Sequence, residues 1–158
     1  MSASVMFWEH FSVGQEWTHH RGEALDEDEI IAFAKQYDPL YIHTDPVRAL
    51  SGPLGMHCAS GVHTFAIAQR MLCDALFSMT HVVAGHRIDS FIMHRPVRPR
   101  DMLSLTVEVM NAMPHARRDD CGWVTFAITV LAAGTGRVLT YDLTVLIGRA
   151  RWKRQPNR

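Results

Sequence analysis

Residues 59–77, ASGVHTFAIAQRMLCDALF, read as one long helix around which the rest of the chain is arranged. Thirteen of these nineteen residues are apolar or glycine, and no proline interrupts them. The polar residues include His63, Arg70 and Asp74, which share one narrow stripe, the pattern of a helix buried on most of its sides. At about 1.5 Å per residue the segment runs roughly 28 Å, enough to form the axis of a small domain, and it is too polar for a membrane span.

Beyond this helix the apolar period switches to alternation. Leu103, Leu105, Val107 and Val109 alternate with Ser104, Thr106 and Glu108; the pattern recurs at Val124, Phe126, Ile128 and Val130, and at Leu139, Tyr141, Leu143, Val145 and Ile147. Such alternation marks strands with one buried face. Gly134-Thr135-Gly136 joins the last two as a hairpin, and a less regular strand is expected over residues 87–94. Pro96 and Pro99 exclude regular structure between that strand and the next. Upstream, Phe7, Trp8, Phe11 and Trp17 surround a Val13-Gly14 turn, which predicts a short extended N-terminal segment over residues 5–17 that lays its rings on the body. The sum is an α+β fold, a curved antiparallel sheet wrapped around a long central helix. One domain is expected over residues 1–158, folded from about residue 7 to about 149, with a frayed, short basic C-terminal tail.

Between the N-terminal segment and the long helix, Asp26 is placed to cap a helix, with Glu29 three residues on and an acidic first turn that suits the helix dipole. Ile30, Ile31, Phe33 and Ala34 supply its apolar face. Pro39 ends it, because a residue before proline is pushed out of the α region, so Asp38 projects from a helix end. Asp45 and Pro46 then start a short helix as N-cap and first helical residue. The Gly- and Pro-rich residues 51–55 fold the chain back toward the long helix.

Asp38 and His43 stand five positions apart, and the helix start at Ala59-Ser60-Gly61 can approach them. A carboxylate, an imidazole and a helix N-terminus suit proton transfer beside a held anion. By spacing alone a plainer reading stands ahead, in which Asp38 braces the loop and His43 is a satisfied interior histidine. His57 and His63 read as packing residues, and Ser60 has no clear triad partner in a G-x-S-x-G setting.

Composition closes off other classes. Sixteen basic and sixteen acidic residues cancel to a formal charge of zero, so no global field draws the chain to nucleic acid or an anionic membrane. Cys58, Cys73 and Cys121 show no C-x-x-C spacing, which argues against a disulfide framework or zinc ribbon and for a reducing compartment. His19 and His20 point to opposite sides of a strand and lack a third ligand, so no metal is expected. Without a basic region leading into an apolar run, or about 18 uncharged apolar residues in a row, a soluble cytoplasmic protein is expected. No Gly-rich phosphate fingerprint follows a strand, so no nicotinamide or nucleoside triphosphate cofactor is expected.

The motifs in order, Tyr-Asp-Pro-Leu-Tyr-Ile-His-Thr-Asp (37–45), Pro-Leu-Gly (53–55), Ala-Ser-Gly-Val-His-Thr (59–64) and Arg-Pro-Val-Arg-Pro-Arg-Asp (95–101), resemble the MaoC-like acyl dehydratases, the (R)-specific enoyl-CoA hydratase group with the hot-dog fold. The resemblance implies that Asp38 and His43 handle a catalytic water and that the Gly61 backbone N–H receives the thioester oxygen. It implies an acyl-CoA or acyl-carrier thioester substrate, with coenzyme A present only as part of it, no separate cofactor, and a homodimer or higher homo-oligomer. Ser60 and Tyr41 are then expected to touch substrate, and Arg95 and Arg98, with Arg100, to meet coenzyme A phosphates. Tyr41, Met56, Phe65 and Met71 are expected to set pocket depth. Many active hydratases carry a free residue and Asn where this chain has Pro39 and Leu40, so a different support for the loop is implied. Arg100 stands where a glycine is common. A hot-dog thioesterase and a non-catalytic acyl-CoA-binding protein are the alternatives.

Overall fold

The computed structural model describes residues 5–151, so residues 152–158 of the basic tail lie outside the described residues. Five strands, β1 (Glu16–Ala24), β2 (Val82–Met93), β3 (Met102–Pro114), β4 (Cys121–Ala132) and β5 (Gly136–Gly148), form one antiparallel sheet in the order β1-β3-β4-β5-β2. The described helices are α1 (Glu27–Tyr37), α2 (Tyr41–Thr44), α3 (Pro46–Leu50) and α4 (Gly61–Ala75).

The alternation read in β3 and β4 is their burial pattern, whereas the second half of β5, residues 143–148, is buried on both faces. Leu105, Val107, Val109, Val124, Phe126, Ile128 and Leu139 face inward and are buried. They meet Ile67, Ala68, Met71 and Leu72 of α4 in one core, so the α+β architecture is a curved sheet around a central helix. His63, Thr64, Ile67, Ala68, Met71 and Leu72 form the buried face of α4, recurring as pairs every four residues. The polar stripe is therefore open at Arg70 and Asp74 but covered at His63, where Phe33 of α1 stacks on the imidazole with centroids 4.3 Å apart. Among the described residues no helix is long and apolar enough to cross a membrane.

Several boundaries differ from expectation. The helix expected over 59–77 is shorter, since Ser60 is its N-cap and Phe77–Met79 is a separate 3-10 turn. Residues 5–17 are not one strand: Trp8–His10 is a 3-10 turn, Gly14 turns with φ 86°, and the strand begins at Glu16. Glu16–Ala24 forms a sheet edge with no fully buried residue, so its sequence carries no apolar alternation. The strand expected over 87–94 starts earlier, at Val82; it too is an edge, interrupted by register shifts, and Ser90 adopts φ 51°. The rings of the N-terminal segment do pack on the body, with Phe11 buried edge-on against Phe126. At the expected end of the fold, Arg149 lies over the Trp8 ring at 4.4 Å. Asp26 is the N-cap of α1 by position but makes no side-chain capping bond, and Glu29 is drawn instead to Arg21 at 2.6 Å.

Candidate active site

α1 ends where Pro39 requires it to end. The Asp38 N–H bonds the Ala34 carbonyl at 2.9 Å, and Asp38 then leaves the helical region with φ −154° and ψ 70°. The Leu40 N–H returns to the Asp38 carbonyl at 2.8 Å, a tight turn that delivers the chain into α2, which carries His43. Asp45 caps α3 as its sequence predicts, accepting from the Arg48 N–H at 3.0 Å.

His43 is buried, and its Nδ1–H donates to the Cys58 carbonyl at 2.7 Å. Because a carbonyl only accepts, this bond assigns the proton of the neutral ring to Nδ1 and leaves the Nε2 lone pair free. Nε2 lies 3.7 Å from Oδ2 of Asp38. Asp38 is the more exposed partner, with 28% of its side chain open to solvent, so water can reach the pair from its side.

The start of α4 closes the arrangement. Ser60 is fully buried; its hydroxyl donates to Oδ2 of Asp38 at 2.5 Å and accepts from the Val62 N–H at 3.2 Å, capping the helix. The carboxylate is thus held from the central helix. Gly61 is the first helical residue, where backbone N–H groups have no intrahelical acceptor. A Cβ there would overlap the Met93 thioether, so glycine lets the end of β2 lie directly against the helix start.

A cavity of about 390 Å³ opens over these groups, lined among others by Asp38, His43, Ser60, Gly61, Met93 and Arg95. Five of the residues singled out from sequence thus line one cavity: Asp38, His43, Ser60, Gly61 and Arg95. Tyr41 and Arg98 do not line it. The Tyr41 ring carries the Arg48 guanidinium at 4.4 Å, and Arg98 is held by Asp101, whose Oδ2 accepts from the Arg98 N–H at 2.8 Å. Arg98 does stand close by, since Arg95 donates to the Thr135 carbonyl and Arg98 Nη2 reaches the Thr135 hydroxyl at 3.4 Å. Met56, Phe65 and Met71, expected to set pocket depth, lie outside the lining; Met71 is in the core. Cys58, Met93 and His94 line the cavity without having been singled out for it. They arrive there through the pairing of β2 with β5 and the return of residues 55–60, which spacing along the chain does not encode.

His57 and His63 are buried, as packing residues should be, yet each faces a carboxylate of α1. His57 Nδ1 is 3.3 Å from Glu27 Oε2, and His63 Nε2 is 3.4 Å from Glu29 Oε1. Burial pushes the His63 pKa below its ordinary value, against the pull of Glu29. Among the described residues no three His, Cys, Asp or Glu side chains gather as a metal site.

A curved sheet around one helix defines a hot-dog protein, and in this one Asp38 and His43 lie together against that helix's start. The model of the MaoC like domain matches residues 10–130, and the chain belongs to that family. It is 30% identical over 139 residues to the uncharacterized protein YdeM of Bacillus subtilis, covering 88% of this chain and 96% of that one. The crystal structure of the MaoC-like dehydratase from Rhodospirillum rubrum is similar at a TM-score of 0.85 and 27% identity, covering 93% of this chain and 99% of that one. The R-hydratase PhaJ1 of Pseudomonas aeruginosa shares the fold at a TM-score of 0.71 and 17% identity, over 98% of this chain and 96% of that one. A hydratase or dehydratase kind of function goes with this family.

Proposed function

We propose that the chain reversibly hydrates an enoyl thioester of the (R)-3-hydroxyacyl-CoA type. The observation that carries this reading is the convergence of Asp38, His43 and the Gly61 helix start on one cavity, with His43 Nε2 3.7 Å from Asp38 Oδ2. A water about 2.8 Å from both atoms fits that spacing. In the hydration direction, Nε2 of His43 takes a proton from this water as its oxygen bonds to Cβ, while Asp38 orients the water. The π electrons of the double bond move onto the thioester oxygen, where the Gly61 N–H and the helix dipole stabilise the enolate. That electron pair then returns to form the Cα–H bond, using a proton delivered by the acid/base pair. Dehydration is the reverse. Arg95 lines the cavity and, with Arg98, reaches Thr135 of the β4–β5 hairpin; in this reading it meets the phosphates of coenzyme A.

The active unit in this reading is a homodimer. β2 is a sheet edge twelve residues long, and Ile88, Phe91, Ile92 and Met93 on it are 45%, 37%, 51% and 56% exposed. Such an edge is a template for pairing with a second copy. Because Met93 ends this strand against Gly61, pairing there would bring a second chain beside the site. Sedimentation should show a dimer that Ile88→Lys with Ile92→Lys converts to monomer; a monomeric unsubstituted protein would sink this part of the proposal.

The reaction is tested by mixing the protein with crotonyl-CoA and a longer enoyl-CoA while following the conjugated double bond and free thiol in parallel. Double-bond loss without thiol release is expected. Thiol release would mean a thioesterase instead, and binding with neither reaction a non-catalytic acyl-CoA-binding protein.

A further inference from the structure

His43 sits in a helix of only four residues, too short to hold its own geometry, and its carbonyl belongs to the last turn, which has no intrahelical donor. That carbonyl is not left to solvent: the His57 Nε2–H donates to it at 2.9 Å. The next residue, Cys58, offers its carbonyl to His43 Nδ1 at 2.7 Å and directs its N–H toward the Ile42 carbonyl at 3.5 Å. Residues 57 and 58 thus run along α2 as a splint that touches both the backbone and the ring of His43. At the far side of the His57 ring, Nδ1 faces Glu27 Oε2 at 3.3 Å, on the first residue of α1. The two ring nitrogens of His57 thus face acceptors on α2 and on α1, bridging the two helices.

We propose that His57, oriented by Glu27, is a positioning residue for the reaction: by holding the His43 carbonyl it aims the His43 imidazole at the water and Asp38. His57 does not line the cavity and has no direct part in proton transfer. Its lever is geometric. α1 supplies Glu27 at its start and Asp38 at its end, so the Glu27–His57–His43 chain ties the imidazole to the same helix that presents the carboxylate. Losing the bond to the carbonyl lets α2 shift and turns the ring away, and a misplacement of about 1 Å can cost about 100-fold in rate.

The inference rests on the hydration reading for its kinetic readout and on geometry alone for its spectroscopic one. The full-length chain is compared as unsubstituted protein, His57→Gln, His57→Leu and Glu27→Gln, using crotonyl-CoA as substrate and nitrogen-15 NMR of the histidine rings. His57→Leu should lower kcat by about 10- to 100-fold with little change in KM, and should expose the His43 Nδ1–H to exchange. His57→Gln, whose amide can donate to the same carbonyl, should recover most of the rate and keep the ring signal. Glu27→Gln, at a half-exposed site that folding tolerates, should shift both readouts in the His57→Leu direction, and it decides the matter if His57→Leu does not fold. The proposal is overturned by a folded His57→Leu with unchanged kcat and ring signal, by equal losses in the Gln and Leu variants, or by a Glu27→Gln protein unchanged in both readouts. If the unsubstituted protein hydrates nothing, the functional reading fails, and the His43 ring signal still decides whether His57 positions that ring.

Discussion

The Ser60 hydroxyl donates to Asp38 Oδ2 at 2.5 Å, so the residue that caps the central helix also holds the carboxylate that ends α1. One side chain therefore carries two duties, and Ser60→Ala should reveal both. Loss of the cap should cost about 1 kcal/mol in urea unfolding. Release of Asp38 should lower kcat more than it changes KM. A variant that loses stability but keeps the original kcat would show that the bond to Asp38 has no role in the reaction.

Gly61→Ala separates the site from the fold. The added methyl meets only the flexible end of Met93, which can swing aside, so the cost in stability should stay within about 1 kcal/mol. The methyl and the displaced thioether crowd the place where the thioester oxygen must reach the Gly61 N–H. Turnover of crotonyl-CoA should fall by about 100-fold or more, as when one oxyanion-hole donor is lost. Unchanged turnover in a folded variant would move the oxyanion site elsewhere.

His63 makes stability depend on pH with a definite sign. Its pKa is held below the ordinary value of 6.5 by burial, so the unfolded chain binds the proton more readily than the folded one. The His63 contribution is complete above 6.5 and is lost as pH falls toward and through the lowered folded value. Melting temperature measured from about pH 7.5 to about pH 5.5 should drop more steeply in the natural chain than in His63→Gln. Parallel curves would contradict the assignment.

Arg100 adopts φ 71°, left-handed backbone that a side chain occupies at a cost of about 1 kcal/mol. The turn is fixed by its neighbours: the Arg100 N–H bonds the Leu25 carbonyl at 2.7 Å, and the Leu25 N–H bonds the Asp101 carbonyl at 3.0 Å. Arg100→Gly should relieve the strain, with roughly half the gain offset by the freer unfolded chain, leaving a small rise in melting temperature. A fall would mean that the Arg100 side chain contributes more than its backbone costs.

What could be read from the chain follows from where its signals are local. β3 and β4 bury one face more deeply than the other, and β5 carries the same apolar alternation although residues 143–148 are buried on both faces, so Leu105, Phe126 and Leu143 announce their strands. β1 and β2 lie at the sheet edges, where polar Thr18 and apolar Ile92 are both exposed, so periodicity does not mark their limits. In the site, Pro39 and the Ser60–Gly61 helix start act through backbone rules and were visible beforehand. The partners of Glu27 and Glu29 were not: an acidic first turn that reads as dipole matching also pairs with two buried histidines on the loop and helix across from it. The resemblance and guanidinium chemistry assign Tyr41 and Arg98 to the substrate, while the fold engages them with Arg48 and Asp101.

The most direct measurement is the rate of crotonyl-CoA hydration at saturating substrate in the natural chain, Asp38→Asn and His43→Ala, with the fold of each checked by melting. The natural chain should hydrate the double bond without releasing thiol, and each substitution should reduce the rate by about 10²- to 10⁴-fold in a folded protein. Hydration that survives both substitutions, or a natural chain that binds the thioester and leaves its double bond intact, would contradict the account.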